Sequence, residues 1–465
     1  MKKIILFMVG VLLLFVASCG SKLSAPEDFK VDNNVISFTE VDGAKTKAVI
    51  KNKETGKVYN RVVNNGTVLE TLSLGAGTYE IYLEITLNND KVTTSVLSFV
   101  IQDLNFTNEV KGEDMVNSEY VKVVGRSYYD EEKSSLILPH SGSGFTVRFT
   151  GTTLKADLTA TNSLTASKRP YIAVVVDGDF ENPIVHAIDD KEIKDFILVS
   201  GLESKEHEIA VIKRSESLDS FIGVQNVTTD GKILPKVEKE RFIEILGDST
   251  IAGYGNETAG TTNGKSSGNS NVLKTFAFIT AQELDADYSI VCASGWGLTG
   301  SIWTTPNTVN LYETYKRVYS TFSQQKQQHV YSDDYYDFSQ GRVADVMIIS
   351  VGTNDLYYIE DGYNTSKALG DQRKQAFIDE YQSLLEFISS IHPGVEIFMV
   401  YGAMGETRMY PTVEAAFANV KDTMSNVHLV KLNGDQQAVD HHPSTKSHEE
   451  MSKVLISEIK KIMNW

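Results

Sequence analysis

The stretch "ILGDSTIAGYGNE", Ile245–Glu257, decides how this chain is read. An apolar run ends in Gly247-Asp248-Ser249 and then passes through two more glycines, Gly253 and Gly255. Either this is an ordinary strand-to-loop turn, or a serine is set for attack at the mouth of a parallel sheet. The surroundings favour the sheet. From about Glu238 onward short apolar strands alternate with amphipathic helices: "RFIEIL", "YSIVCAS", "VADVMIISV", "VEIFMVY" and "NVHLVKL" are the strands. In "RKQAFIDEYQSLLEFISSI" the residues Phe377, Tyr381, Leu384, Leu385 and Ile388 share one helical face. In "SHEEMSKVLISEIKKIM" the stripe is Met451, Val454, Leu455, Ile459 and Ile462. Continuous apolar strands alternating with helices predict a parallel sheet covered on both faces. Ligands in such sheets bind at the carboxyl ends of the strands.

Four short blocks fall on that rim: "GDST" with Ser249, "ASGWG" (293–297), "VGTND" (351–355) and "VDHHPS" (439–444). A serine hydroxyl is a weak nucleophile and needs a base to take its proton. His442 can be that base if one tautomer is fixed, and Asp440, two residues earlier, can fix it. A tetrahedral oxyanion needs donors already in place. The main-chain N–H groups of Ser249 and Gly295 and the side-chain amide of Asn354 can supply three. Each block has a plain structural alternative: "GDS" as a turn, Asn354 as a helix cap, Gly295 as a tight-turn residue, His442 as a helix-entry residue. The order and placement of all four favour a serine esterase site. His441 is the alternative base; His448, one turn into the last helix, reads as structural. Trp296 and Trp303 follow the second block and Tyr254 sits in the glycine loop; all three are candidates to stack on a substrate ring or, equally, to lie in the core. A Tyr- and Gln-rich insertion between Ser301 and Gly341 reads as a surface excursion near the site.

The 465 residues exceed one ordinary domain. Residues 25–105 read as short strands, with Tyr79, Ile81, Leu83 and Ile85 on one face. Their opening, "DFKVDNNVISFTEVDGAKTKAVIKN", resembles a fibronectin type III or immunoglobulin-like module. Residues 112–237 hold further strands, such as "GFTVRFTGTTLKADLTA" and "YIAVVVDGD", with a hairpin signal at Asp177-Gly178. Some eight strands without helical periodicity predict a jelly-roll β-sandwich. Residues 238–465 are the expected catalytic domain. Net charge is −17, which argues against a nucleic-acid partner because no excess cation is available for phosphates. At the N-terminus, "MKKIILFMVGVLLLFVASCGS" has Lys2 and Lys3, an apolar run, small residues and then Cys19. This resembles a bacterial lipoprotein signal, cut before Cys19, which then carries the lipid; a short anchor helix is the alternative. The resemblance implies an exported, cell-surface protein tied to a membrane. Only Cys292 remains besides Cys19, so neither a disulfide framework nor a structural zinc is expected.

With these residues in hand, GDS, the glycine block, GTND and the C-terminal Asp-x-His-Pro together resemble the SGNH, or GDSL-type, hydrolases. "GDSTIAGYGNE", "ASGWG" and "DHHPS", preceded by "VRFTGTTLKADL", "VVVDGD" and "IKRSE", are similar to carbohydrate esterase family 2. The resemblance runs from about Val116 to the C-terminus. It implies a three-layer α/β hydrolase with a flavodoxin-like parallel sheet behind a β-sandwich, no metal and no cofactor. It also implies Ser249 as nucleophile, Ser249, Gly295 and Asn354 as oxyanion donors and His442 as base, removing acetyl groups from polysaccharides such as xylan or mannans. The wider superfamily carries its acid three residues before the histidine, where this chain has Val439. Family 2 shows the shorter spacing of Asp440, and in some members a backbone carbonyl orients the histidine instead. Two rival readings remain: a general short-chain acyl esterase or lipase, and a non-enzymatic glycan-binding surface lipoprotein.

Overall fold

Five parallel strands, Arg241–Gly247, Ala286–Cys292, Val346–Ser350, Glu396–Tyr401 and Val427–Lys431, form one sheet. In space they run second, first, third, fourth, fifth. Every residue of Ala286–Cys292 and of Val346–Ser350 is buried, as strands covered on both faces must be. On one face pack the helices Thr353–Thr365, Lys367–Ile391 and Tyr410–Val420; on the other pack Phe276–Glu283 and Thr445–Met463. The sheet is therefore the middle of three layers. The second and third strands lie on opposite sides of the first, so the order reverses there, and at the carboxyl ends of strands at such a point these sheets open a crevice.

The computed structural model describes residues 23–465, except 33–34, 54, 73, 75–76, 88–89, 102–106, 163–164, 304–308, 324–325 and 327. The expected signal segment, 1–19 with Cys19, lies outside the described residues. The helical faces expected from periodicity are buried at Phe377, Tyr381, Leu384, Leu385 and Ile388. In the last helix Met451, Leu455 and Ile459 are buried, but Val454 is 45% exposed. Met451, Leu455 and Ile459 follow one another at four-residue steps, which puts position 454 beyond the edge of the stripe.

Contacts divide the chain into two compact units. One runs to Asn108 and includes Lys232–Val237. Its strands form a three-stranded and a five-stranded antiparallel sheet, the latter centred on Lys45–Asn52 and Gly77–Leu87. Tyr79, Ile81, Leu83 and Ile85 are all buried, as the alternation of this strand predicts. The other unit joins Glu109–Gly231 to Glu238–Trp465, so the second antiparallel body and the parallel sheet belong together. In that body Gly144–Gly151 lies between Val121–Val124 and Lys205–Lys213, and the long strand Ser220–Leu234 pairs with both Ser135–Leu138 and Leu154–Asn162. Asp177 and Gly178, both at positive φ, turn the chain after Tyr171–Val176.

A buried ion network ties the antiparallel body to the sheet. Arg126, fully buried, donates to the carbonyls of Tyr315 and Arg317 and reaches Glu244 Oε1 at 3.3 Å. Glu244, on the first parallel strand, also accepts from Tyr315 Oη at 2.9 Å and from His392 Nε2 at 2.7 Å. The guanidinium lies 4.2 Å from the ring centroid of Tyr336. Removing one member of such a network leaves a buried charge without its partner. Arg126→Leu is therefore expected to cost about 3–5 kcal/mol in urea unfolding; an unchanged midpoint would show that the network carries no stability.

Candidate active site

Ser249 begins a single helical turn, Ser249–Ala252, directly after the first strand. Asp248 caps that turn: its Oδ1 accepts from Thr250 N–H at 3.0 Å and from Thr250 Oγ1 at 2.9 Å. Burial raises the Asp248 carboxyl to about 6. The turn ends at Gly253, and the chain then closes tightly on the C-terminal block. At Gly255 φ is +56°, and a Cβ there would stand 2.6 Å from Val439 Cβ. The last glycine of that stretch, Gly255, thus lets the serine loop touch the segment that carries the histidine.

Ser249 Oγ lies 2.7 Å from His442 Nε2. The other ring nitrogen, Nδ1, lies 2.9 Å from the main-chain carbonyl of Val439. A carbonyl only accepts, so Nδ1 carries the proton and Nε2 is left to accept from the serine hydroxyl. Both residues are buried, at 7% and 8% exposure. Burial lowers the His442 pKa below its usual value, against opposing contributions from the Val439 carbonyl and the charge of Asp440. The imidazole is therefore neutral, and able to accept a proton, near pH 7.

Asp440 does not orient His442. Asp440 and His441 both adopt left-handed conformations, at φ +48° and +61°. This double turn brings the Val439 carbonyl under the ring and sends the Asp440 carboxylate to the phenol of Tyr254, which donates to it at 2.9 Å. Tyr254 in turn stacks on His442, with ring centroids 4.3 Å apart and planes 20° apart. Tyr254 thus packs against the ring that meets Ser249. His441 is exposed, and it is His442 that meets the serine. His448 is fully buried, its pKa pulled down to about 3 by burial, and its Nδ1 accepts from Phe276 N–H at 3.1 Å.

The oxyanion candidates gather on the same rim. The N–H groups of Ser249 and Gly295 have no acceptor among the described residues. Asn354, buried in the first turn of its helix, donates from Nδ2 to the Trp296 carbonyl at 3.0 Å and faces Asp248 Oδ2 at 3.4 Å. Gly295 has φ +81°, and a Cβ there would stand 2.5 Å from the Trp303 ring. Trp303 is half exposed above this glycine. The Trp296 ring is buried in the core at 4% exposure, so it presents no open face to a sugar; its carbonyl, which holds Asn354, is what serves the site. The insertion forms a hairpin, Ser320–Ser323 with Gln328–Tyr331. Its His329 lies against both tryptophans, at 4.8 Å from Trp296 and 5.5 Å from Trp303.

The model of the family described as Carbohydrate esterase 2 N-terminal matches residues 123–236. The chain is 28% identical over 339 residues to the cellulase/esterase CelE of Acetivibrio thermocellus, a match covering 70% of this chain and 37% of CelE. This chain therefore spans only about a third of that relative's length. It is 24% identical over 359 residues to an acetylxylan esterase/glucomannan deacetylase of Cellvibrio japonicus, covering 74% of this chain and 90% of that protein. A solved family two carbohydrate esterase from Clostridium thermocellum, in complex with cellohexaose, matches with a TM-score of 0.62 and 25% identity, over 74% of this chain and 99% of that one. The chain is thus similar to carbohydrate esterases of family 2. The matched family model covers the antiparallel body, and the serine site lies after it.

Two residues went unassigned in the sequence although they stand inside its motifs. Asp248 caps the nucleophile turn and faces Asn354. Asp355, the last residue of "GTND", is fully buried and accepts from the N–H groups of Leu298, Thr299 and Gly300 at 3.1, 2.8 and 3.0 Å. Its position beside Asn354 was the available signal. Asp355→Ala removes the acceptor of these N–H groups and of Thr299 Oγ1 and is expected to cost about 2–4 kcal/mol. Thermal unfolding checks this; an unaltered transition would mean that the loop is held by other contacts.

Proposed function

We propose that this chain is a carbohydrate O-acetyl esterase that removes acetyl groups from polysaccharides such as xylan, mannan or glucomannan through an acyl-serine intermediate. The reading rests above all on the 2.7 Å hydrogen bond between Ser249 Oγ and His442 Nε2, with the base fixed in its accepting tautomer. His442 takes the hydroxyl proton as Ser249 Oγ attacks the acetyl carbon. The oxyanion is met by the N–H groups of Ser249 and Gly295 and by the Asn354 amide, whose weaker 3.4 Å contact to Asp248 is released to it. The intermediate collapses with loss of the sugar alkoxide, which takes the proton from His442. Water, deprotonated in turn by His442, attacks the acyl-enzyme and releases acetate. The exposed Trp303 offers a ring face on which a sugar can stack beside Gly295.

The names of the relatives, an acetylxylan esterase/glucomannan deacetylase and an esterase solved with cellohexaose, support a carbohydrate substrate. We further read the antiparallel body of 112–237 as a jelly roll and 25–105 as an immunoglobulin- or fibronectin III-like module. The basic, apolar and small-residue order before Cys19 supports export and lipid anchoring at that cysteine, with the enzyme held at the cell surface.

Acetate release from acetylated xylan, glucomannan and simple sugar acetates tests the chemistry. Ser249→Ala and His442→Ala are expected to lower it at least about 10⁴-fold, and an active Ser249→Ala would end the reading. Asp440→Asn is expected to cost less than about tenfold, because its carboxylate is not on the ring; loss of a triad acid costs about 10⁴-fold in serine proteases. The sign of its pH effect follows from the charge. Asp440 raises the His442 pKa, so its removal moves the acid limb of kcat/KM to lower pH. A limb that moves upward would contradict this geometry.

A further inference from the structure

The segment "KRSESLDS", 213–220, links two strands of the antiparallel body, yet all of its polar side chains are withdrawn from water and only the apolar Leu218 is half-buried. Lys213, Ser215, Ser217 and Ser220 are fully buried, and Arg214, Glu216 and Asp219 are 5%, 3% and 5% exposed. Burying this much polarity is costly unless each group has a partner. Lys213 Nζ is held inside the segment by the Ser215 and Glu216 carbonyls, and Arg214, Glu216, Ser217 and Asp219 find partners on three separate loops of the α/β region. The Arg214 guanidinium pairs with Glu257 of the serine loop. Ser217 Oγ donates to the Ser320 carbonyl, and the Ser217 carbonyl accepts from Thr321 Oγ1 at 2.8 Å, both on the inserted hairpin. Glu216 Oε2 accepts from the main-chain N–H of Ser294 at 3.0 Å.

The last contact bears on catalysis. The N–H of Gly295 belongs to the peptide that immediately follows Ser294, and the direction of that N–H depends on how this short stretch is held. Ala293 N–H is bound to the Gly247 carbonyl at 3.2 Å, and the Gly295 carbonyl accepts from Ile302 N–H at 3.1 Å. Between these two ties the hold on Ser294 comes from Glu216, a side chain from the antiparallel body. Glu216 is held in its turn by Lys265 Nζ, 3.3 Å from Oε1, and Lys265 also pairs with Asp219. Lys265 lies 5.4 Å from the centroid of Tyr254, the ring stacked on His442.

We infer that Glu216 is a positioning residue for the oxyanion hole: its carboxylate fixes the Ser294 peptide and so aims the neighbouring N–H of Gly295 at the developing oxyanion. The antiparallel body is then a working part of the active site. This inference rests on the esterase reading above. A misaimed donor weakens the transition state and leaves ground-state binding nearly intact.

The test compares full-length wild type, Glu216→Ala, Glu216→Gln and Lys265→Met on p-nitrophenyl acetate, with inhibition by a trifluoromethyl ketone, whose serine adduct carries an oxyanion. Since loss of a whole donor costs about 10²- to 10³-fold, Glu216→Ala is expected to lower kcat about 10- to 100-fold. KM should stay within about threefold, and ketone affinity should weaken in proportion to kcat/KM. Glu216→Gln keeps an oxygen for Ser294 N–H and is expected to recover most of the activity. Should Glu216→Ala fail to fold, Lys265→Met, which frees Glu216 to move, is expected to lower kcat about 3- to 10-fold at constant KM. A folded Glu216→Ala with wild-type kcat and ketone affinity, or a Lys265→Met without loss where it stands in, overturns the inference and leaves the esterase reading standing. A wild-type protein that hydrolyses no ester overturns both.

Discussion

The Val439 carbonyl, 2.9 Å from His442 Nδ1, is the contact on which the rest of the site depends. It fixes which ring nitrogen carries the proton, and through that it fixes which can receive one from Ser249. A carboxylate in that place would do the same and would also stabilise the imidazolium by charge. A neutral carbonyl gives orientation with less electrostatic support. The site compensates by packing: Tyr254 lies flat on the ring, and the charge of Asp440 acts from a short distance through space.

This arrangement requires the Val439–His442 turn to be rigid. Two consecutive residues at positive φ cost of order 1–2 kcal/mol each, so the surrounding contacts must enforce them. They do. Asp440 N–H is held by the Thr261 carbonyl at 3.1 Å, Ala438 N–H by the His442 carbonyl at 3.0 Å, and Gly255 leaves room for Val439 to seat against the serine loop. The same logic governs the oxyanion side, where Asp355 gathers three N–H groups of one loop and Glu216 reaches across from the antiparallel body to hold the residue before Gly295.

Much of this was legible in the residues. The continuous apolar strands implied a covered parallel sheet, and of the blocks at their ends the structure brings Ser249 to His442 and sets Asn354 against Asp248. What stayed hidden has physical causes. The direction of the Asp440 carboxylate depends on backbone angles that non-glycine residues seldom adopt, and composition does not announce them. Trp296 and Trp303 look alike in sequence, and only packing separates the buried ring from the exposed one. His329 lies in an insertion without clear periodicity, and the Glu216–Ser294 contact joins residues 78 apart that no local pattern connects.

The most direct test of the central claim is the ¹⁵N NMR spectrum of the His442 ring in the resting protein at neutral pH. The account predicts a neutral imidazole protonated at Nδ1, with that proton in a hydrogen bond and Nε2 bare. An imidazole protonated at Nε2, or an imidazolium at that pH, would contradict it.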